Sequence, residues 1–248
     1  MPLFAFFIVT ILLSINAFSN ELLYKSYENY DLWLDCDKRA AIAFKYEVKA
    51  DTGNKKRYSS FYDDLSTPQS CEQLSRDTYV HHINNAPKYD RGHLAAANHF
   101  DFDKSALKEA NYMTNVLPQT VKLNRGAWKR TEELIECYRD SFNVFTIGGV
   151  VWGTDSSNDH FKISHGIETP DYYWRVLLGT KDNKHYFSSW ILPNDTSASS
   201  ANLKHFEVTF LQLIEHVSYE EIRKELNSLP IKSGESFQYY KGCKAYES

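Results

Sequence analysis

The chain has no surplus of positive charge. Its 28 Lys and Arg stand against 32 Asp and Glu, a formal net charge of −4 over 248 residues. A protein that grips nucleic acid through many phosphates needs a cationic face. Any polyanion site here must therefore be a local patch on a balanced surface. None of the four cysteines forms a C-x-x-C pair, which argues against a zinc ribbon or thioredoxin motif. The nine histidines show no H-x-x-x-H or H-E-x-x-H spacing, so a histidine-built zinc helix is excluded. No internal repeat and no linker divides the chain. The apolar run at 3–15 is too short for a comfortable membrane span, which needs roughly 20 residues.

That run instead has the pattern of an export signal. No charged side chain precedes Glu21, and Ala17 and Ser19 stand where a signal peptidase reads. The expected organisation is a cleaved signal over 1–19 and one domain over 20–248, released to the periplasm or the medium. An uncleaved anchor is the second choice, and no stable membrane association is expected after cleavage. An oxidising compartment suits two disulfides among Cys36, Cys71, Cys137 and Cys243. Three connectivities are possible; Cys36–Cys71 with Cys137–Cys243 is the expected one.

The aromatic content, 17 Tyr and 15 Phe, is enough to fill a sizeable core. Alternation predicts strands over 41–50 and 143–152, and a hairpin of 172–178 with 185–192 around Lys181-Asp182-Asn183. Helical period predicts helices over 105–112, 125–139, 202–217 and 219–226. Pro118 is expected to end regular structure before the second of these. Strands and helices do not alternate strictly, so an α+β fold is expected, an antiparallel sheet with packed helices.

The chemistry concentrates between Tyr89 and Glu132. An imidazole is the natural base for water near neutral pH, and His93 offers one. Arg91 supplies a fork of donors matched to phosphate oxygens. Gly92 lets the backbone approach a substrate or take a strained turn. The Asn124 amide oxygen suits Mg²⁺, which prefers oxygen and keeps several waters. If 125–139 is helical, Asn124, Trp128 and Glu132 share one face. Asn124 and Glu132 then stand too far apart along the axis to bind one ion together. Glu132 could instead fix a nearby arginine or accept from a hydrated ion. Lys122, Arg125, Lys129 and Arg130 cluster nearby as a local basic patch or a solvated helix face. His99 lies close enough to the motif to line a site, with no role assigned.

As a set these pieces resemble the DNA/RNA non-specific endonuclease family, the endonuclease G-like D-R-G-H nucleases with a ββα-metal (His-Me finger) core. The matching segments are D-R-G-H-L-A-A-A at 90–97, N-x-x-P-Q at 115–119 and L-N-x-x-A-W-x-x-x-E at 123–132. Weaker matches are R-x-x-x-F at 57–61, H-G-I at 165–167 and Trp174-Arg175, so the likeness covers about 44–193.

The resemblance implies that His93 is the general base, Asn124 the direct Mg²⁺ ligand (Mn²⁺ able to substitute) and Arg91 a phosphate contact. It implies that Asn115 positions the histidine, that Glu132 acts behind the metal and that Arg57 is a second phosphate contact. It further implies cleavage of DNA and RNA with little sequence preference and 5′-phosphate products. One departure stands out: where some members carry an arginine one turn after the motif glutamate, this chain has Glu136, so Arg57, Arg91 or Lys129 must meet the transition-state charge. Homodimerisation and a dedicated protein inhibitor are compatible with the family. A catalytically silent nucleic-acid binder and a toxin-type nuclease are the alternative readings; a phosphatase or phospholipase would share the metal–phosphate chemistry.

Overall fold

A computed structural model describes residues 22–233 and 235–237. The strands are β1 (Leu23–Ser26), β2 (Asp31–Asp35), β3 (Ala40–Val48), β4 (Tyr89–His93), β5 (Val116–Thr120), β6 (Asn143–Val151), β7 (Tyr172–Lys181), β8 (Lys184–Pro193) and β9 (Glu235–Ser236). The α-helices are α1 (Lys104–Ala110), α2 (Lys129–Arg139), α3 (Phe210–His216) and α4 (Glu220–Ser228). Seven strands form one sheet in the order β1-β2-β3-β6-β7-β8-β9. Its pairs are antiparallel except β8 with β9. The expected antiparallel sheet with packed helices is thus what forms.

The two-residue period of a strand sends alternate side chains to opposite faces. Along β7, Tyr173 and Leu177 enter one apolar cluster, while Trp174, Val176 and Leu178 enter another. The first cluster takes Leu94, Leu123, Trp128, Leu134 and Ile135. The second takes Leu213, Val217, Ile222 and Leu226 from α3, α4 and their junction. The sheet is therefore buried on both faces, with the chemistry-bearing segment on one and α3–α4 on the other. The β7–β8 turn follows the expected chemistry: Asp182 and Asn183 both have positive φ, 50° and 59°, which short polar side chains tolerate.

Two elements depart from expectation, at Pro118 and over 202–217. The D-R-G-H segment is a strand, β4, paired with β5 in a separate two-stranded ribbon. Pro118 does not end regular structure; it sits inside β5 opposite Arg91. A two-stranded ribbon gives each strand a free edge, where a missing N–H costs nothing. The helix expected over 202–217 is broken. Glu207 bridges to Trp190, and Val208 exchanges bonds with Ser189 in β8 (N–H to O 2.9 Å, Ser189 Oγ to O 2.7 Å). Only then does Thr209 start α3, through a reciprocal capping box with Gln212.

The Cys36–Cys71 disulfide forms as expected, tying the β2–β3 turn to a segment 35 residues on. Cys137 is also disulfide-bonded, but its expected partner, Cys243, lies outside the described residues, as does the expected signal over 1–19. Among the described residues no helix is long and apolar enough to cross a membrane.

Candidate active site

The site grows from β4, β5 and the helix that follows them. In β4 the two-residue period puts Arg91 and His93 on one side of the strand, and Tyr89, at its start, is buried in the core. Gly92 has no left-handed φ. Its value is space, because a Cβ there would run into the Gln119 side chain across the ribbon. After β5 the chain turns into a helical segment, Leu123–Trp128, that leads into α2 across a kink at Gly126. Gly126 sits at φ −113°, ψ −107°, and a Cβ on it would approach Ala198 O at 2.8 Å. Asn124 therefore does not continue the α2 repeat that the sequence suggests.

His93 and Asn124 line the same cleft, of about 490 Å³, together with Arg57, Arg91, Lys129 and Glu132. The ring of His93 stacks on Phe61, centroids 5.4 Å apart, and Phe61 also lies under the Arg91 guanidinium at 4.0 Å. One aromatic ring thus orients both groups. Arg91 is further pinned by a bond from Nη1 to Arg76 O, 2.7 Å.

The tautomer of His93 follows from its neighbour. Asn111 Nδ2 donates to Tyr58 O (3.2 Å) and Ser60 O (2.9 Å), so its Oδ1 must be the acceptor facing His93 Nε2 at 2.9 Å. Nε2 carries the proton, and Nδ1 keeps the lone pair. Burial lowers the imidazole pKa to about 4; Arg57 and Arg91 push the same way, and Asn111 pushes back. The ring is neutral at pH 7 and can accept a proton.

Asn124 is also fixed. Its Nδ2 donates to Asp90 Oδ2 at 2.9 Å, and Arg125 grips the same carboxylate with two bonds of 2.8 Å. Burial works against the Asp90 charge, but the bonds from Arg125 and Asn124 outweigh it and hold the pKa below its ordinary value. With the amide nitrogen committed, Oδ1 is left as the acceptor end. That donor, with the Glu132 carboxylate lining the same cleft, is a hard-oxygen set. Among the described residues no group of three or more His, Cys, Asp or Glu could hold a metal. The residues therefore fit a largely hydrated Mg²⁺ and not a protein-caged zinc.

Beneath the cleft lies Arg175, fully buried in β7 on the face that meets α2. Its guanidinium donates to Thr131 Oγ1 (2.8 Å) and Leu94 O (3.1 Å), packs 3.8 Å over Trp128, and stands 3.8 Å from Glu132 Oε1. Trp128 Nε1 in turn donates to His93 O at 3.0 Å. One buried cation therefore links the residue after His93 to the helix carrying Asn124 and Glu132. Burial pushes the Glu132 pKa up even against Arg175 and Arg57. The expectation that Glu132 could fix a nearby arginine is met by Arg175.

Other expected residues divide. Asn115 does not touch the imidazole. It is fully buried, and its side chain bonds Ala95 N, Ala95 O and Ala110 O (2.8, 2.9 and 2.9 Å), clamping the chain two residues beyond His93. Direct contact with the ring falls to Asn111, at the end of α1. His99 does not line the cleft. It is 1% exposed, with Nδ1 2.8 Å from Tyr46 OH and Nε2 3.8 Å from Glu136. Burial, with Arg175 and Arg139, lowers its pKa to about 3. Glu136, in the place of the motif arginine, accepts from Asn98 Nδ2. Lys129 and Arg130 both pair with Glu133, at 3.1 and 3.0 Å.

This geometry has relatives. Residues 14–220 match the family model for DNA/RNA non-specific endonucleases. The mouse mitochondrial nuclease EXOG is 24% identical over 207 residues, covering 76% of this chain and 54% of its own. Nuclease C1 of Cunninghamella echinulata var. echinulata is 26% identical over 171 residues, 65% of each chain. Bovine mitochondrial endonuclease G is 27% identical over 139 residues, 52% of this chain and 46% of its own. The chain thus spans about half to two thirds of the length of these relatives. Among solved structures, EndoG in its complex with EndoGI superposes with a TM-score of 0.61 at 19% identity, covering 86% of this chain and 89% of that one. A D-R-G-H strand, its partner strand and an asparagine-bearing helix, set in a chain whose matched region includes all three, give one conclusion: the chain belongs to the DNA/RNA non-specific endonuclease family.

Proposed function

We propose that this protein is an exported, Mg²⁺-dependent endonuclease that hydrolyses phosphodiester bonds of DNA and RNA with little sequence preference. One observation carries the reading: a neutral, oriented imidazole and a pinned carboxamide share one cleft with Arg57, Arg91 and Lys129. His93 Nδ1 takes a proton from water as its oxygen forms a bond to phosphorus. The bond from phosphorus to the 3′-oxygen breaks, the 3′-oxygen leaves and is protonated from solvent, and the phosphate stays on the 5′ side. Arg91 meets the charge that develops on the non-bridging oxygens, with Arg57 and Lys129 on the same cleft. Asn124 would hold the Mg²⁺, which Mn²⁺ could replace; when bound, the ion supplies Lewis-acid neutralisation of the phosphate and the leaving oxygen. Recognition then rests on sugar–phosphate contacts to Arg57, Arg91 and Lys129, which position a strand without reading its sequence. The Cys36–Cys71 disulfide supports export to an oxidising compartment. A protein inhibitor that covers the cleft is a further proposed partner, on the analogy of the inhibitor complex of the structural relative.

The test is cleavage of plasmid DNA and of RNA by wild type and His93→Ala, with Mg²⁺ and with EDTA. Wild type should cut both with Mg²⁺ only, and His93→Ala should lose at least ~10²-fold, the scale of a positioned acid–base group. Intact plasmid at micromolar wild-type protein would favour a silent binder, and turnover surviving full chelation would refute the metal role.

A further inference from the structure

Beside the cleft lies a second groove, of about 620 Å³. Lys88, Lys122, Arg125, Thr196, Ser199 and Ser200 supply its polar lining, and Pro87, Val121 and Ala201 are among its apolar parts. No Asp or Glu lines it, in a chain where acidic residues outnumber basic ones. It adjoins the cleft at Arg125, which lines both. Asp90 holds that arginine at the junction with two bonds of 2.8 Å.

The far wall is built in. Asn194 Oδ1 accepts from Thr120 N (2.8 Å), Asp195 O accepts from Thr120 Oγ1 (3.1 Å), and Ala198 O accepts from Ala127 N (3.1 Å). The loop is thereby fastened to the end of β5 and the start of the site helix. The Asp195 carboxylate is spent within the loop, on Ser197 N and Oγ at 2.7 and 2.6 Å. What remains at the groove is a strip of cations and hydroxyls beside apolar surface.

We propose that this groove is a second strand-binding subsite. It holds the sugar–phosphate backbone flanking the scissile phosphate, with Lys88 and Lys122 on phosphates and the apolar part against sugar or base faces. Phosphate contacts of this kind position a strand without reading it, and stacking surface beside a cationic track is what sequence-tolerant strand binding needs. Charge complementarity and the position next to the cleft both point to the same occupant. The proposal rests on the reading of the cleft as a phosphodiesterase site, and it adds a consequence: the enzyme should favour strands long enough to fill both.

The experiment uses the full protein as wild type, a Lys88→Glu/Lys122→Glu double variant and a Lys224→Glu control on α4. Binding of a labelled single strand of roughly a dozen nucleotides is followed by fluorescence anisotropy in EDTA across a salt series. Turnover is measured in Mg²⁺ on that strand and on a chromogenic thymidine diester too short to reach the groove. The double variant should bind the strand at least ~10-fold more weakly and lose about 1.4 from the log–log salt slope, for two single-strand phosphate contacts. Its KM on the strand should rise while kcat/KM on the short diester stays at the wild-type value. Strand affinity and salt slope equal to wild type would overturn the subsite. Equal losses on both substrates would also overturn it, by showing a damaged cleft. If wild type cleaves neither substrate, the phosphodiesterase reading fails; the anisotropy arm still decides whether the groove binds a strand.

Discussion

The cleft and the groove beside it share Arg125 but handle charge in opposite ways. In the cleft two of the cations are matched. Lys129 pairs with Glu133, Arg125 with Asp90, and Glu132, Glu133 and Glu136 all line the walls. The groove has cations and hydroxyls with no acid on its lining. A place for chemistry must hold a hydrated cation and a neutral base, and carboxylates and pinned side chains serve that. A place that only holds a polyanion needs unopposed positive charge. A net charge of −4 conceals both.

The comparison can be broken first from beneath the cleft. Arg175→Met should destabilise the protein by about 3 kcal/mol, because it leaves Glu132 and the Leu94 carbonyl without their buried partner. Denaturant unfolding measures this. An unchanged midpoint would mean that Arg175 does not tie the cleft together.

The second prediction concerns pH. The folded-state pKa of His93, about 4, lies below its unfolded value of 6.5. Its contribution to stability is therefore complete above about pH 6.5 and is lost as pH falls toward 4. Glu72, pushed up to about 7 by burial, acts in the opposite direction, so the informative quantity is a difference. Relative to wild type, His93→Asn should lose less stability between pH 6.5 and 4, by as much as ~3 kcal/mol. Parallel pH profiles for the two proteins would contradict the buried neutral imidazole.

The smallest effect is expected at Lys129. An exposed pair such as Lys129–Glu133 is worth about 0–1 kcal/mol, so Lys129→Ala should barely move the unfolding midpoint. It should lower kcat/KM by less than ~5-fold, as 1 kcal/mol implies. A larger loss would make Lys129 a principal phosphate contact and sharpen the contrast with the groove.

Much of this was legible in the sequence because the motif is local. The D-R-G-H and L-N-x-x-A-W-x-x-x-E matches carried the expectation that His93 and Asn124 share a site, and both line one cleft. What escaped depends on distant parts of the chain. Asn111 looked like the last turn of a helix; its role comes from Tyr58 and Ser60 occupying its amide nitrogen. Arg175 was flagged only by a weak Trp-Arg match, since a strand pattern does not say which charged residue will be sealed against a tryptophan. The kink at Gly126 is set against Ala198, a contact across the fold. Pro118 misled because its breaker signal assumes neighbours on both sides, and the ribbon has only two strands.

The central claim is that the imidazole at 93 and the carboxamide at 124 face one hydrated cation. Paramagnetic broadening tests it directly: Mn²⁺ is titrated into the protein while the histidine ring resonances are followed by NMR. In wild type the His93 signals should broaden at the lowest Mn²⁺ while those of His216, on α3 across the sheet, stay sharp, and Asn124→Ala should abolish the selectivity. Sharp His93 signals in a Mn²⁺-saturated, cleaving enzyme, or equal broadening in Asn124→Ala, would contradict the account.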